Sequence, residues 1–62
     1  MNLKDLINGK DYRHKDGRIG TLIGSHPHDG ALLVFNEVDN KDDDGFVFYA
    51  CEACDLVEEV KR

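Results

Sequence analysis

The sequence predicts a mainly β fold, a small antiparallel structure built from hairpins. Three short apolar runs carry this prediction, because each is rich in β-branched or aromatic side chains; they span residues 18–24, 31–35 and 46–50. Glycine, aspartate and asparagine bound each run, as is typical of tight turns between strands. With 62 residues, the chain is expected to form one domain, residues 1–62, whose core supplies only about 3–5 kcal/mol of stability.

The N-terminal part of the chain predicts a short helical turn followed by a hairpin. Asn2 is placed to cap the turn, and Gly9 is placed to end it in the left-handed conformation. A first strand is expected over residues 10–14 and a second over residues 18–23. The Asp-Gly pair ending at Gly17 suits the positive φ angles of the tight turn between them.

Two further strands and an ambiguous C-terminal stretch complete the predicted elements. The third strand is expected over residues 31–35 and the fourth over residues 46–50, separated by a long acidic loop. The segment after Ala50 fits a helix by its i, i+3, i+4, i+7 spacing. It fits equally well a helical turn at residues 51–54 followed by a short closing strand.

Alternation within the runs predicts which side chains form the core. In the second strand, Gly20 and Gly24 share a face with Leu22, which indicates a bend, a bulge or a close backbone approach. The loop over residues 39–45 has no apolar anchor and is expected to be mobile and dispensable for folding. The predicted core comprises Ile19, Leu22 or Ile23, Leu33, Val34, Phe46, Phe48 and Leu56, with Leu6 or Ile7 covering one end.

The segment DGRIGTLIG at residues 16–24 resembles the turn-and-strand signature of SH3-like barrels of the KOW and Tudor type. The segments LLVF, FVFY and DLVE are similar to the remaining strands and closing turn of that family, so the resemblance covers roughly residues 10–60. It implies a small five-stranded SH3-like barrel with a short N-terminal helical turn and a helical turn or short helix near the C-terminus. It also implies a module that binds peptides, RNA or larger protein assemblies.

The charge of the chain is uneven and favours a protein partner. The net charge is −5, but residues 1–18 hold five Lys/Arg against three Asp, whereas residues 19–62 hold three Lys/Arg against ten acids. An acidic surface disfavours binding to a phosphate backbone and favours a basic protein face. The chain is therefore interpreted as a small acidic, non-enzymatic protein-interaction module, a regulator or inhibitor. Its predicted partner-binding residues are Asp42, Asp43, Asp44, Phe46, Phe48 and Tyr49.

One alternative function is a nucleic-acid-binding barrel that uses the basic N-terminal hairpin. Its residues would be Lys10, Arg13, Lys15 and Arg18.

A second alternative is a small zinc-stabilised domain. Cys51 and Cys54 form a Cys-x-x-Cys turn, and His26 and His28 lie two residues apart, which together make a Cys₂His₂ set. A zinc ion would cross-link and stabilise a core of this size. Without it, the same residues are expected to be two buried cysteines on a turn and two exposed loop histidines, and no cofactor is expected.

No catalytic pattern is present in the sequence, and an enzyme is the least favoured class. The calcium-loop-like start at Asn40 fails because Cys51 occupies the twelfth position, where a bidentate glutamate belongs. The sequence contains neither an apolar run that could span a membrane nor a signal-peptide pattern. A cytoplasmic protein with reduced thiols is the resulting expectation, and the oligomeric state stays open.

Overall fold

The computed structural model describes residues 1–26, 30–41, 45 and 47–61, with His26 described by its backbone alone. These residues form five antiparallel strands in one sheet, with short 3₁₀ turns at Leu3–Asp5 and Ala53–Asp55. The mainly β prediction is thereby confirmed, and the helical alternative after Ala50 is wrong. The strands are β1 (Asp11–His14), β2 (Ile19–His26), β3 (Gly30–Phe35), β4 (Val47–Glu52) and β5 (Leu56–Val60).

The strand order across the sheet is β4-β3-β2-β1-β5. The first four strands are neighbours in the order of the chain, and β5 then returns to pair with β1. The second strand is longer than predicted, because its pairing with β3 continues to His26 opposite Gly30. Strands β4 and β5 therefore form the two edges of the sheet.

The sheet curls so that both edge strands contribute to the same core. The Tyr49 ring on β4 lies 5.4 Å from the His14 ring on β1, although β3 and β2 separate these strands in the sheet. Leu56 on β5 is fully buried in the same cluster. The buried cluster consists of Tyr12, Leu22, Ala31, Leu33, Phe35 and Leu56, and Leu6, Val47, Tyr49 and Cys51 pack against it.

A close contact between Phe35 and Gly20 fixes the packing of β3 against β2. The two residues are partners in the register, and a Cβ built on Gly20 would lie 2.5 Å from the Phe35 ring. The predicted close backbone approach in β2 is therefore confirmed. The predicted bulge is present as well, because the register shifts between Leu22 and Gly24 and leaves Ile23 as the extra residue.

The core prediction is right for three leucines and wrong for Phe48. Leu22, Leu33 and Leu56 are buried, whereas the Phe48 side chain is 69% exposed. Phe48 is outside because β4 turns its odd-numbered residues, such as Tyr49, toward the core.

Among the remaining predicted core residues, some are partly buried and one lies outside the described residues. Val34, opposite Phe48 in the register, and Ile19 are only partly buried. The prediction missed Tyr12 and Phe35, the two largest fully buried side chains. Phe46 lies outside the described residues.

The N-terminal segment is tied to the core through Tyr12. The Ile7 backbone N–H donates a hydrogen bond to the Tyr12 hydroxyl at 2.9 Å, so this buried hydroxyl has its partner. Of the two residues predicted to cover the barrel end, Leu6 packs on the core and Ile7 is exposed. The predicted side-chain cap from Asn2 is absent.

Asn40 anchors the turn that follows β3. Its side chain is buried and clamps Ile19, because Oδ1 accepts from the Ile19 N–H at 2.8 Å and Nδ2 donates to the Ile19 carbonyl at 2.7 Å. Nδ2 also donates to the Asn36 carbonyl at 3.1 Å. Asn40, one of the residues 39–45 that are expected to be dispensable, is therefore anchored to the fold, while residues 42–44 lie outside the described residues.

A methyl group at Gly20 is expected to destabilise the fold, whereas one at Gly24 is not. Gly20→Ala should lower the free energy of unfolding by about 1–3 kcal/mol, because the buried Phe35 ring must move to accept it. Gly24→Ala is the matched control, since nothing lies within 4 Å of its Cβ position. Urea denaturation of both variants checks this, and equal stabilities would contradict the Phe35 packing.

Truncation of Asn40 is expected to destabilise the fold more than truncation of its exposed neighbour Glu37. Asn40→Ala leaves the Ile19 N–H and carbonyl without their partners, which costs about 1–3 kcal/mol for each buried group left unsatisfied. Glu37→Ala should change stability by less than about 0.5 kcal/mol. Thermal unfolding of the two variants decides the matter, and an unchanged melting temperature for Asn40→Ala would contradict the clamp.

Candidate functional site

The outer side of the sheet carries an apolar patch that includes Phe48 on edge strand β4. The register places Phe48 opposite Val34, and the next outward pair on the same two strands is Ala50 opposite Leu32. Phe48 and Ala50 are exposed, and Val34 and Leu32 are half-buried. We call these four residues the outer patch.

Acidic side chains stand at two borders of the outer patch. Along β4, exposed Glu52 follows Phe48 and Ala50 on the same side of the strand. Across the sheet, the row from Phe48 runs through Val34 and Thr21 to Asp11 and continues to Val60 on β5. Asp11 Oδ1 accepts a hydrogen bond from the Thr21 hydroxyl at 2.5 Å. An apolar centre with acidic borders suits a partner that presents an apolar side chain among basic ones.

The predicted partner-binding residues on β4 face opposite sides of the sheet. Phe48 faces outward, whereas Tyr49 faces the core and packs on Phe35 with ring centroids 5.6 Å apart. These two aromatics therefore do not share a face, because neighbouring residues of a strand point to opposite sides. Phe46 and the three aspartates at 42–44 lie outside the described residues.

Three of the four residues proposed for nucleic-acid binding are paired with acids. Arg13 Nε lies 2.7 Å from Glu58 Oε1, and Lys15 Nζ lies 3.0 Å from Asp55 Oδ1. Arg18 Nε lies 2.8 Å from Asp16 Oδ2. The fourth, Lys10, lines an open cleft together with Asp11 and Glu59 among others. The acids beside these cations weaken the positive potential that a phosphate backbone would need.

Arg18 also covers one end of the core. Its guanidinium carbon lies 4.2 Å from the centroid of the Phe35 ring and 5.1 Å from that of the Tyr49 ring. Partial burial acts to raise the pKa of Asp16, but hydrogen bonds from the Arg18 backbone and side chain outweigh it and hold this pKa below its ordinary value. Arg18 is thus part of the fold's packing as well as a surface charge.

The two cysteines of the predicted zinc set have different surroundings in the structure. Cys51 is half-buried against the core, whereas Cys54 is exposed and its thiol donates to a Glu52 carboxylate oxygen at 3.4 Å. The backbone of His26 pairs with Gly30 at the end of β2, and His28 lies outside the described residues.

Both thiols are held in their protonated form. Burial, with a smaller contribution from the Asp55 carboxylate, raises the pKa of Cys51 to about 11. The hydrogen bond to Glu52 raises the pKa of Cys54. A reactive redox cysteine needs the opposite shift, so this Cys-x-x-Cys turn lacks the electrostatics of thiol–disulfide chemistry.

Comparison with protein-family models, curated proteins and solved structures finds none that matches this chain. In the part of the chain that the structure describes, no helix has the length and apolar character needed to cross a bilayer.

The two thiols are expected to differ in their rates of alkylation. At about pH 8, exposed Cys54 should react with iodoacetamide at least about tenfold faster than Cys51, because burial and a pKa near 11 leave little Cys51 thiolate. Mass spectrometry of the peptides over time measures both rates, with Cys54→Ser as the matched control. Equal rates in the folded protein would contradict the inward placement of Cys51.

Proposed function

We propose that this protein is an acidic, non-enzymatic interaction module that binds a basic protein segment through the outer patch. The observation that carries the proposal is Phe48, a large aromatic side chain that is 69% exposed on edge strand β4 beside apolar residues of β3. Burying a side chain of this kind against a partner contributes about 1.5–3 kcal/mol. Aromatic anchors of this type dominate the energetics of many interfaces.

The charge distribution supports a basic partner. Residues 19–62 hold three Lys/Arg against ten acids, a balance of −7, and these acids include Glu52 at the end of β4 and the aspartates at 42–44. Such a field accelerates the encounter with a positively charged segment and repels phosphates. We infer that the occupant is an extended segment with lysine or arginine on both sides of one apolar side chain.

The resemblance to SH3-like barrels, many of which bind peptides, adds support to this proposal. A role as regulator or inhibitor, and a cytoplasmic location, belong to the same proposal. The free thiols of Cys51 and Cys54 are in keeping with a reducing compartment. The nucleic-acid alternative has weaker support, because Arg13, Lys15 and Arg18 each have an acid within 3.0 Å.

Random linear peptides displayed on phage provide a probe that presumes no partner. Selection on the unmodified protein should enrich peptides with basic residues around one apolar side chain. Phe48→Ala should weaken their binding at least about tenfold while leaving the melting temperature nearly unchanged. Val57→Ala on β5, which is 54% exposed, is the matched control and should bind normally. Enriched peptides without basic residues, or full binding by Phe48→Ala, would contradict the proposal.

The charge component has a separate test. Exchange of Asp42, Asp43 and Asp44 for lysine should slow association with the selected peptide and remove its dependence on salt. The unmodified protein should bind neither duplex DNA nor structured RNA at about 0.15 M salt. Micromolar, salt-sensitive binding to an oligonucleotide would instead support the nucleic-acid alternative.

A further inference from the structure

Three side chains of metal-binding types converge at the end of the fold where β1, β4 and the 3₁₀ turn Ala53–Asp55 meet. A ring nitrogen of His14, the Cys51 sulfur and a carboxylate oxygen of Asp55 all lie within 4.8 Å of one another. Only Cys51 belongs to the zinc set that the sequence predicts. This cluster is separate from the outer patch, because His14 and Cys51 lie on the core side of the sheet.

The backbone holds these residues together through two local features. The pairing of β1 with β5 shifts register between Arg13 and His14, and a bulge of this kind re-aims the side chain that follows it. The Lys15 N–H donates to the Asp55 carbonyl at 2.8 Å, which ties the 3₁₀ turn to the end of β1. The convergence is thus fixed by main-chain contacts and needs no rearrangement of strands.

His14 has a polar atom that the described residues leave without a partner. Its side chain is 3% exposed, and Nε2 is buried with no hydrogen-bond partner. Nδ1 lies 3.3 Å from both the backbone nitrogen and Oδ1 of Asp16. If Nδ1 accepts from the amide, Nε2 carries a buried proton with no acceptor, which is costly. If Nδ1 donates to the carboxylate, Nε2 presents a lone pair instead.

We propose that His14 Nε2, Cys51 Sγ and an Asp55 carboxylate oxygen bind a zinc ion, with water as the fourth ligand. An imidazole, a thiolate and a carboxylate are all established zinc ligands. Zinc distances of about 2.0–2.3 Å place tetrahedral ligand atoms about 3.5 Å apart, so the cluster has to contract by about 1 Å. Asp55 is only partly buried, which gives the ion access from solvent.

The surrounding charges suit this assignment. The hydrogen bond from Lys15 to one Asp55 oxygen lowers the pKa of Asp55, so the carboxylate stays ionised and its other oxygen can face the ion. Asp16 Oδ1 lies 3.3 Å from Nδ1, so a proton on Nδ1 could be donated to this carboxylate, which would give the carboxylate–histidine–metal arrangement that orients imidazole ligands. When the ion binds, it replaces the thiol proton of Cys51, and this proton passes to solvent.

The ion would connect β1, β4 and the turn before β5, which the sequence separates by up to 41 residues, from His14 to Asp55. A cross-link between such distant residues lowers the conformational entropy of the unfolded chain and thereby stabilises a small core. It also satisfies the buried Nε2 of His14.

Titration with Zn²⁺ or Co²⁺ alone tests the proposal on the unmodified chain. Zinc should raise the melting temperature, and cobalt should give the charge-transfer absorption of a thiolate ligand. Cys51→Ser and Asp55→Asn should each weaken binding at least about tenfold, and Asp16→Asn should weaken it by about 10–100-fold. Cys54→Ser is the matched control and should bind zinc as the unmodified chain does. Absence of binding, or its loss in Cys54→Ser, would overturn the proposal.

Nitrogen NMR of the histidine rings tests the role of His14 without a substitution that risks unfolding. On addition of Zn²⁺ to the unmodified protein, the Nε2 resonance of His14 should move to the metal-bound range while Nδ1 keeps its proton. Shifts confined to the His26 and His28 rings, with none at His14, would assign the ion elsewhere and refute the site.

Discussion

The packing of the Phe35 ring against Gly20 is the contact on which the other features of this fold depend. The ring occupies the space that any side chain at position 20 would fill, so β2 and β3 meet without a gap. The same ring contacts Tyr49 from β4, His14 from β1 and the guanidinium of Arg18. One buried aromatic side chain thus joins four strands, which lets a core of so few residues close.

This contact also determines which side chains face the core and which face outward. With Phe35 and Leu33 inside, the antiparallel register turns Val47, Tyr49 and Cys51 inward and leaves Phe48 outside. The outer patch and the approach of Cys51 to His14 are therefore two consequences of one register. A slip of β4 by a single residue would remove both.

Turn chemistry and apolar runs are enough to predict the first four strands, but they leave β5 open between helix and strand and do not predict the side chains that β4 buries. The run in β4 is apolar at nearly every position, so alternation does not distinguish its two faces, and the predicted core includes Phe48 in place of Tyr49. The role of Asn40 is not predictable from the sequence, because the residue lies in an acidic loop and has the same polar character as its solvated neighbours. Only the fold brings its amide to the Ile19 backbone. The Cys-x-x-Cys spacing predicts a zinc site that includes Cys54. The cluster of Cys51 with His14 and Asp55 joins segments that are distant in the sequence, so no local motif predicts it.

The nuclear Overhauser effect between the aromatic protons of His14 and Tyr49 tests the central claim, closure of the sheet around Phe35, most directly. These residues lie on strands that are not neighbours in the sheet, yet their ring centroids are 5.4 Å apart. The closed fold predicts clear cross-peaks between the two rings, and none between His14 and Phe48. An open sheet, or one with β4 shifted by a residue, would instead leave the His14–Tyr49 cross-peaks absent and would contradict the account.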